Sequence, residues 1–111
     1  MKVTVEISPT SVTSHEGARI SLVRNDETFS DLYFDFTKIL KAVRTPSDTT
    51  IDFLVVAAAI YSLDKLTSRT EASDGWKRSF ELEIPVKNSA AWTASANAAN
   101  QCVNFLSGDS W

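Results

Sequence analysis

Few residues in this chain carry chemistry, and none stands in a complete catalytic spacing. Ser107-Gly108-Asp109-Ser110 has the look of a phosphate-gripping loop. A P-loop, however, needs G-x-x-x-x-G-K-[ST], and the pyrophosphatase loop of adenylating enzymes has the form S-G-G-x-D-S. Here one glycine follows a helical stretch instead of opening one, so no helix N-terminus is aimed at an anion. Gly108 reads instead as a helix stop. His15, the single histidine, lies in TSVTSHEG, which reads as a loop without the G-x-S-x-G of a nucleophile elbow. Cys102, the single cysteine, falls on an amphipathic helix with no histidine partner and reads as packing.

The carboxylates offer a second chemistry. Two-metal nucleases of the RNase H-like type hold their ions with acids on the first strand, the first long helix and a later strand. Glu6, Asp52 or Asp64, and Glu81 or Glu83 stand in that sequence order. Glu6, Glu81 and Glu83 also occupy the ordinary solvent-side positions of alternating strands. A third group is basic and aromatic: Lys65, Arg69, Lys77 and Arg78, with Trp76 among them. Arginine beside tryptophan suits a protein contact or a stacked base, while Asp64, Glu71 and Asp74 supply local balance.

The elements that would position these groups follow from periodicity. Val3, Val5 and Ile7 alternate with Lys2, Thr4 and Glu6, the pattern of a strand with one wet face. ARISLVR at 18–24 and TFSDLYFDF at 28–36 repeat it, with Leu32, Phe34 and Phe36 inward and turn residues at 25–27. TKILKAV at 37–43 gives two helical turns before Pro46. A main helix follows at roughly 49–67, capped by Ser47, Asp48 or Thr49. From Phe53 to Leu63 its only polar residue is Ser62, so it must be covered on more than one side. TSRTEASDG is loop-like. WKRSFELEIPV is a fourth strand that Pro85 confines to an edge or an end. Asn88 or Ser89 caps a last helix on which Trp92, Ala96, Ala99, Val103 and Leu106 share a face.

The totals bound the function. At 111 residues the chain is one domain, with no internal repeat. Its net charge of −3 argues against a sequence-independent nucleic-acid binder. One cysteine excludes an intrachain disulfide and a structural zinc site, and a free thiol fits a cytoplasmic setting. MKVTVEIS has no hydrophobic block of a signal peptide. FLVVAAAIY is far short of the ~18 apolar residues of a membrane span.

The ordered set Tyr61, Asp64 and Arg69; Trp76, Arg78, Pro85 and Val86; Trp92; and Phe105, Leu106, Gly108, Asp109 and Trp111 resembles the N-terminal region of QueC-like proteins. These are homologues of 7-cyano-7-deazaguanine synthase from bacterial anti-phage operons. The resemblance covers the C-terminal half of the chain. Lys65 stands where that family's pattern has an arginine. It implies that catalysis belongs to a downstream domain, which would hold the ATP and the zinc, and that no cofactor or catalytic residue belongs to this one. Residues 1–111 would then be the N-terminal piece of a longer enzyme, or a module acting in trans.

The expected fold is α+β: a mostly antiparallel four-stranded sheet, β-β-β-α-α-β-α in sequence, with helices mainly on one face. The expected role is a docking or substrate-presenting domain for a QueC-like enzyme in phage defence. Its partner is the downstream catalytic domain or another protein of the defence operon. The contact residues are Arg69, Trp76, Arg78, Ile60 and Trp111, and self-association is an open alternative. An RNase H-like nuclease and a free-standing interaction module are the competing functions. A further expectation is that apolar surface near Val56, Ile60 and Trp111 stays uncovered in the isolated chain.

Overall fold

Alternation along the first three strands builds an antiparallel meander. The computed structural model describes residues 1–12, 15–35, 38, 42 and 46–111, with backbone alone at 9–12, 15–17, 34 and 71. Strands β1 (Lys2–Val12), β2 (His15–Arg24) and β3 (Glu27–Asp35) pair in turn. Val5 faces Leu22 and Ile7 faces Ile20 across β1 and β2, and Ile20 faces Leu32 across β2 and β3. His15 thus opens β2 instead of lying in a loop. Asn25 and Asp26 make the β2–β3 turn with φ of 52° and 62°, the doubly left-handed backbone whose twist matches a tight hairpin. The expected helix at 37–43 lies outside the described residues apart from Lys38 and Ala42, as do Phe36 and the side chain of Phe34.

Helix α1 (Asp48–Leu66) begins where the Ser47 hydroxyl accepts the Thr50 N–H. It lays Val55, Ala59 and Leu63 against Val3, Val5, Ile20 and Leu22, with Phe80 closing the core. A short 3-10 turn at Arg69–Glu71 leads to strand β4 (Glu81–Glu83), followed by helix α2 (Ser89–Ser107). The sheet order is β3-β2-β1-β4, and β4 runs parallel to β1 with Val3 facing Leu82. The fold is therefore α+β with a mixed, mostly antiparallel sheet. The parallel pair is short: WKRSFELEIPV supplies only the three residues of β4 and a single bridge at Ser79.

The row that α1 buries is 52, 55, 59, 62 and 63, so polar Asp52 and Ser62 lie inside. Apolar Phe53 and Tyr61 lie outside, 64% and 63% exposed. A helix apolar around its whole circumference has no preferred rotation on hydrophobic grounds. Asp52 sets the rotation by the Lys87 and Asn88 backbone N–H groups it binds, and large apolar side chains are left facing away from the sheet.

Candidate functional site

Helix α2 has no Lys, Arg, Asp or Glu among its residues, yet it buries none of them. It is tethered at both ends by hydrogen bonds that come from elsewhere in the fold. At its start Asp52 of α1 accepts the Lys87 and Asn88 N–H groups at 2.8 and 2.9 Å, and the Asn88 carbonyl oxygen of the side chain accepts the Ala91 N–H. Burial alone would raise the Asp52 pKa. Those two backbone donors, the nearby indole N–H of Trp92 and the charge of Lys87 more than offset it and hold the carboxyl below its usual range. The Trp92 N–H faces this carboxylate without closing a hydrogen bond.

At its end α2 stops on Gly108, in the left-handed region at φ 74°, whose N–H reaches the Asn104 carbonyl. The chain then turns back beside β4. Ser110 donates its N–H to the Arg78 carbonyl at 2.9 Å and accepts the Phe80 N–H at 2.7 Å, a parallel bridge. Trp111 stacks on Phe80 with ring centroids 4.4 Å apart, and its indole N–H binds Ser107 Oγ at 2.8 Å.

This return places Asp109 at the centre of an ion-pair network. Its carboxylate, fully buried, accepts the Arg78 backbone N–H at 2.9 Å, Arg78 Nε at 3.1 Å and Arg69 Nη1 at 3.0 Å. Arg78 also donates to Asp64 and to the carbonyls of Asp64 and Thr67, which end α1. Arg69 donates further to the carbonyls of Trp76 and Ser107. Burial acts to raise the Asp109 pKa, but the Arg78 hydrogen bonds and the charges of Arg78 and Arg69 outweigh it and lower the value. Arg78 is raised in turn, first by its hydrogen bonds to Asp109. Four residues of the motif set, Asp64, Arg69, Arg78 and Asp109, thus form one cluster that ties the end of α1, the 3-10 turn, β4 and the tail together.

Between α1, α2 and the outer side of β4 runs an apolar groove of about 470 Å³. Its lining includes Val56, Ile60, Leu82, Ile84, Trp92 and Trp111. It continues outward past Phe53, Tyr61 and Leu106. The floor and walls are hydrophobic, and Val56, Ile60 and Trp111 are only half-buried there, in keeping with the surface expected to stay uncovered.

The structure distributes the five expected contact residues unevenly. Ile60 and Trp111 share the groove. Arg69 lies on the groove's rim, its guanidinium 5.7 Å over the ring of Trp76, which is 71% exposed. Arg78 is the exception. Its side chain is buried and its donors are spent inside the chain, so it holds the fold and offers nothing to a surface. Asp109 stands in the motif set, but its role as the buried centre of an ion-pair network was not foreseen from the sequence. Its signal was an acid directly behind a glycine helix stop in a chain that also carries an arginine in W-x-R.

The acids expected of a nuclease are drawn into separate tasks. Asp52 caps α2, Asp64 binds Arg78, and Glu83 meets Lys2 Nζ at 2.6 Å on the open sheet face. Among the described residues no group of three His, Cys, Asp or Glu side chains is placed to hold a metal. No described helix is long and apolar enough to cross a membrane. The fold and site define a small α+β domain with an ion-paired tail and an open apolar groove. No protein-family model, curated protein or solved structure matches the chain.

Proposed function

We propose that this domain is a non-catalytic docking module, and that its α1–α2 groove receives a QueC-like catalytic domain of an anti-phage system. The observation that carries the reading is the groove. Phe53 and Tyr61 of α1 are exposed beside half-buried Ile60 of α1 and Trp111 of the tail, and face half-buried Trp92 on an α2 that has no charge to hold water. A contiguous apolar patch of several hundred Å² on a single domain marks an interaction surface. The sequence resemblance supplies the identity of the partner. Arg69 stacked over Trp76 adds a polar and aromatic rim of the kind that interface hot spots favour. ATP and zinc belong to the partner in this reading, and the setting is the cytoplasm.

The experiment is co-purification of the tagged domain with a QueC-like catalytic domain from the same operon, as wild type and as Ile60→Asp. Capture by the wild type and at least a tenfold loss with Ile60→Asp support docking through the groove. Equal capture by both moves the contact elsewhere, and no capture by the wild type ends the proposal.

A further inference from the structure

Three of the basic residues at 65–78 are engaged within the chain. Arg69 and Arg78 bind Asp109, and Lys65 holds its Nζ 5.8 Å over the ring of Tyr61. Lys77 is exposed, and among the described residues no carboxylate lies within ion-pair reach of it. Asp74 feels its charge, but that carboxylate accepts the Trp76 and Lys77 backbone N–H groups at 2.9 Å each and so fixes the turn that carries Lys77. Arg24, the last residue of β2, is exposed and likewise without an ion-pair partner among the described residues.

Both cations line one cleft of about 370 Å³ together with Thr67, Ser73 and Ser79, and no described carboxylate shares its walls. A second cleft of about 330 Å³ meets the first at Met1, Arg24 and Thr67. Its walls include Phe29 of β3 and Leu66, the last residue of α1, both exposed. Glu27, which faces Arg24 across the β2–β3 turn, is the one described acid there. A cationic hollow lined with hydroxyl residues thus lies beside one with exposed apolar walls. Phe80 is the one residue that the first cleft shares with the α1–α2 groove, so the two surfaces fill independently.

We infer that this double cleft docks an acidic, extended segment of a protein partner, with a carboxylate side chain at Arg24 and Lys77 and an apolar side chain against Phe29 and Leu66. Charge complementarity names the acid. The chain is net acidic, at −3, so an acidic partner is repelled overall and gains only where cations are left unpaired. The guanidinium of Arg24 has the planar fork that matches a carboxylate. A free anion would meet only exposed cations, and ion pairs between exposed groups add little. The apolar neighbour supplies the rest, because covering Phe29 and Leu66 removes apolar surface from water. The two hollows lie side by side on one surface. In an extended segment residues two apart share a face, so the acid and the apolar residue are spaced i and i+2. This inference lies beyond the docking role of the groove and uses no part of it.

The probe is the blocked peptide acetyl-Ser-Leu-Ser-Glu-Ser-Leu-Ser-amide, which sets a leucine two residues from the glutamate in either chain direction. Two control peptides replace the glutamate with glutamine or both leucines with serine, and sodium acetate serves as the free carboxylate. The expected result with millimolar probe is a saturable change in the amide shifts of Thr67, Ser73 and Lys77. Affinity is expected to be at least fivefold lower for each control peptide on the wild-type chain. The same loss is expected for the probe on the Arg24→Gln, Lys77→Gln double variant, whose exposed positions leave folding nearly unchanged. Absence of shifts with the probe, or equal affinity of the glutamine peptide, overturns the proposal. So does acetate that moves the same amides as strongly, since a free anion then suffices. Shifts confined to Val56 and Ile60 place the peptide in the groove and also overturn it. The QueC-like domain enters none of these measurements, so failed co-purification with it leaves the cleft standing.

Discussion

Arg78 and Asp109, 31 residues apart in the chain, meet through both the backbone N–H and the guanidinium of the arginine. The backbone bond fixes the tail against β4 and the side-chain bonds fix it against the end of α1. One carboxylate thereby decides where α2 begins its return. Breaking a buried pair by removing one member costs about 3–5 kcal/mol, because the other charge stays buried without its partner. Arg78→Ala and Asp109→Ala are each expected to lose that much in urea unfolding. Arg69→Ala, whose side chain is 36% exposed and whose bonds to Asp109 and two carbonyls lie at the rim, is expected to lose less, about 1.5–3 kcal/mol, the range of a hydrogen bond to a charged group. Equal losses at all three positions would contradict the central place of the Arg78–Asp109 pair.

The same pair sets a pH dependence. Asp109 and Asp52 both have folded pKa values below their ordinary ones, so each contributes stability that is present above the unfolded value of about 3.9. That stability is lost as pH falls through the lower folded values. Unfolding free energy is expected to be flat near neutrality and to drop below about pH 4. In Asp52→Asn and Asp109→Asn the drop is expected to be shallower and the neutral-pH stability lower. A stability profile for these variants parallel to the wild type from pH 6 to pH 2 would rule out their part in acid unfolding.

Much of this architecture was legible along the chain, and the exceptions share a cause. The alternation of Val3, Val5, Ile20, Leu22 and Leu32 announces a one-faced sheet, because period two has only one reading when polar residues fill the gaps. Ser47, Asn88 and Gly108 mark helix ends through chemistry local to each end. The parallel pairing of β4 was not legible. Pro85 places that strand at an edge but says nothing of direction, and three residues carry too little pattern. Buried Asp52 and Ser62 were hidden because α1 is apolar all round, so no row stands out as the inner one. The pairing of Asp109 was hidden because the glycine before it explains the local turn completely, while its partners, Arg69 and Arg78, are distant in sequence. Long-range polar pairing leaves no periodic trace.

Backbone strain at the β2–β3 turn gives a stabilising substitution. Asn25 and Asp26 both hold positive φ, which costs a residue with a side chain more than it costs glycine, although Asn and Asp tolerate it best. Asp26→Gly creates an Asn-Gly pair, the strongest sequence for this turn. A gain of about 0.5–1 kcal/mol is expected, read as a rise in the urea midpoint with unchanged slope. Asp26→Ala is expected to lose stability instead, and a gain with alanine would remove the conformational explanation.

Open-face acids are expected to be dispensable. Glu6 is exposed, and the side chain of Glu81, 71% exposed, meets only Lys2 among the described residues, at 3.9 Å. Glu6→Gln and Glu81→Gln should each change stability by no more than ~0.5 kcal/mol. Neither RNA nor DNA should be cleaved with manganese by the wild type or by either variant, and millimolar ATP with magnesium should leave the melting temperature unmoved. Cleavage by the wild type that either variant abolishes would replace the docking function with the nuclease one.

The exposed apolar residues of α1 separate binding from folding. Phe53 and Tyr61 are nearly two-thirds exposed, so Phe53→Lys and Tyr61→Lys remove little buried area, and surface changes of this kind stay within about 0.5 kcal/mol. Ile60 is half-buried and Ala59 beside it is fully buried, so Ile60→Asp carries some folding cost that must be measured first. The Phe53→Lys, Tyr61→Lys double variant is the cleaner probe. It is expected to unfold at the wild-type urea concentration, to bind less of a hydrophobic dye, and to capture at least tenfold less of the QueC-like catalytic domain. Concentration-dependent association of the wild type that this variant abolishes, with no capture of the catalytic domain by either, would assign the groove to a second copy of the chain.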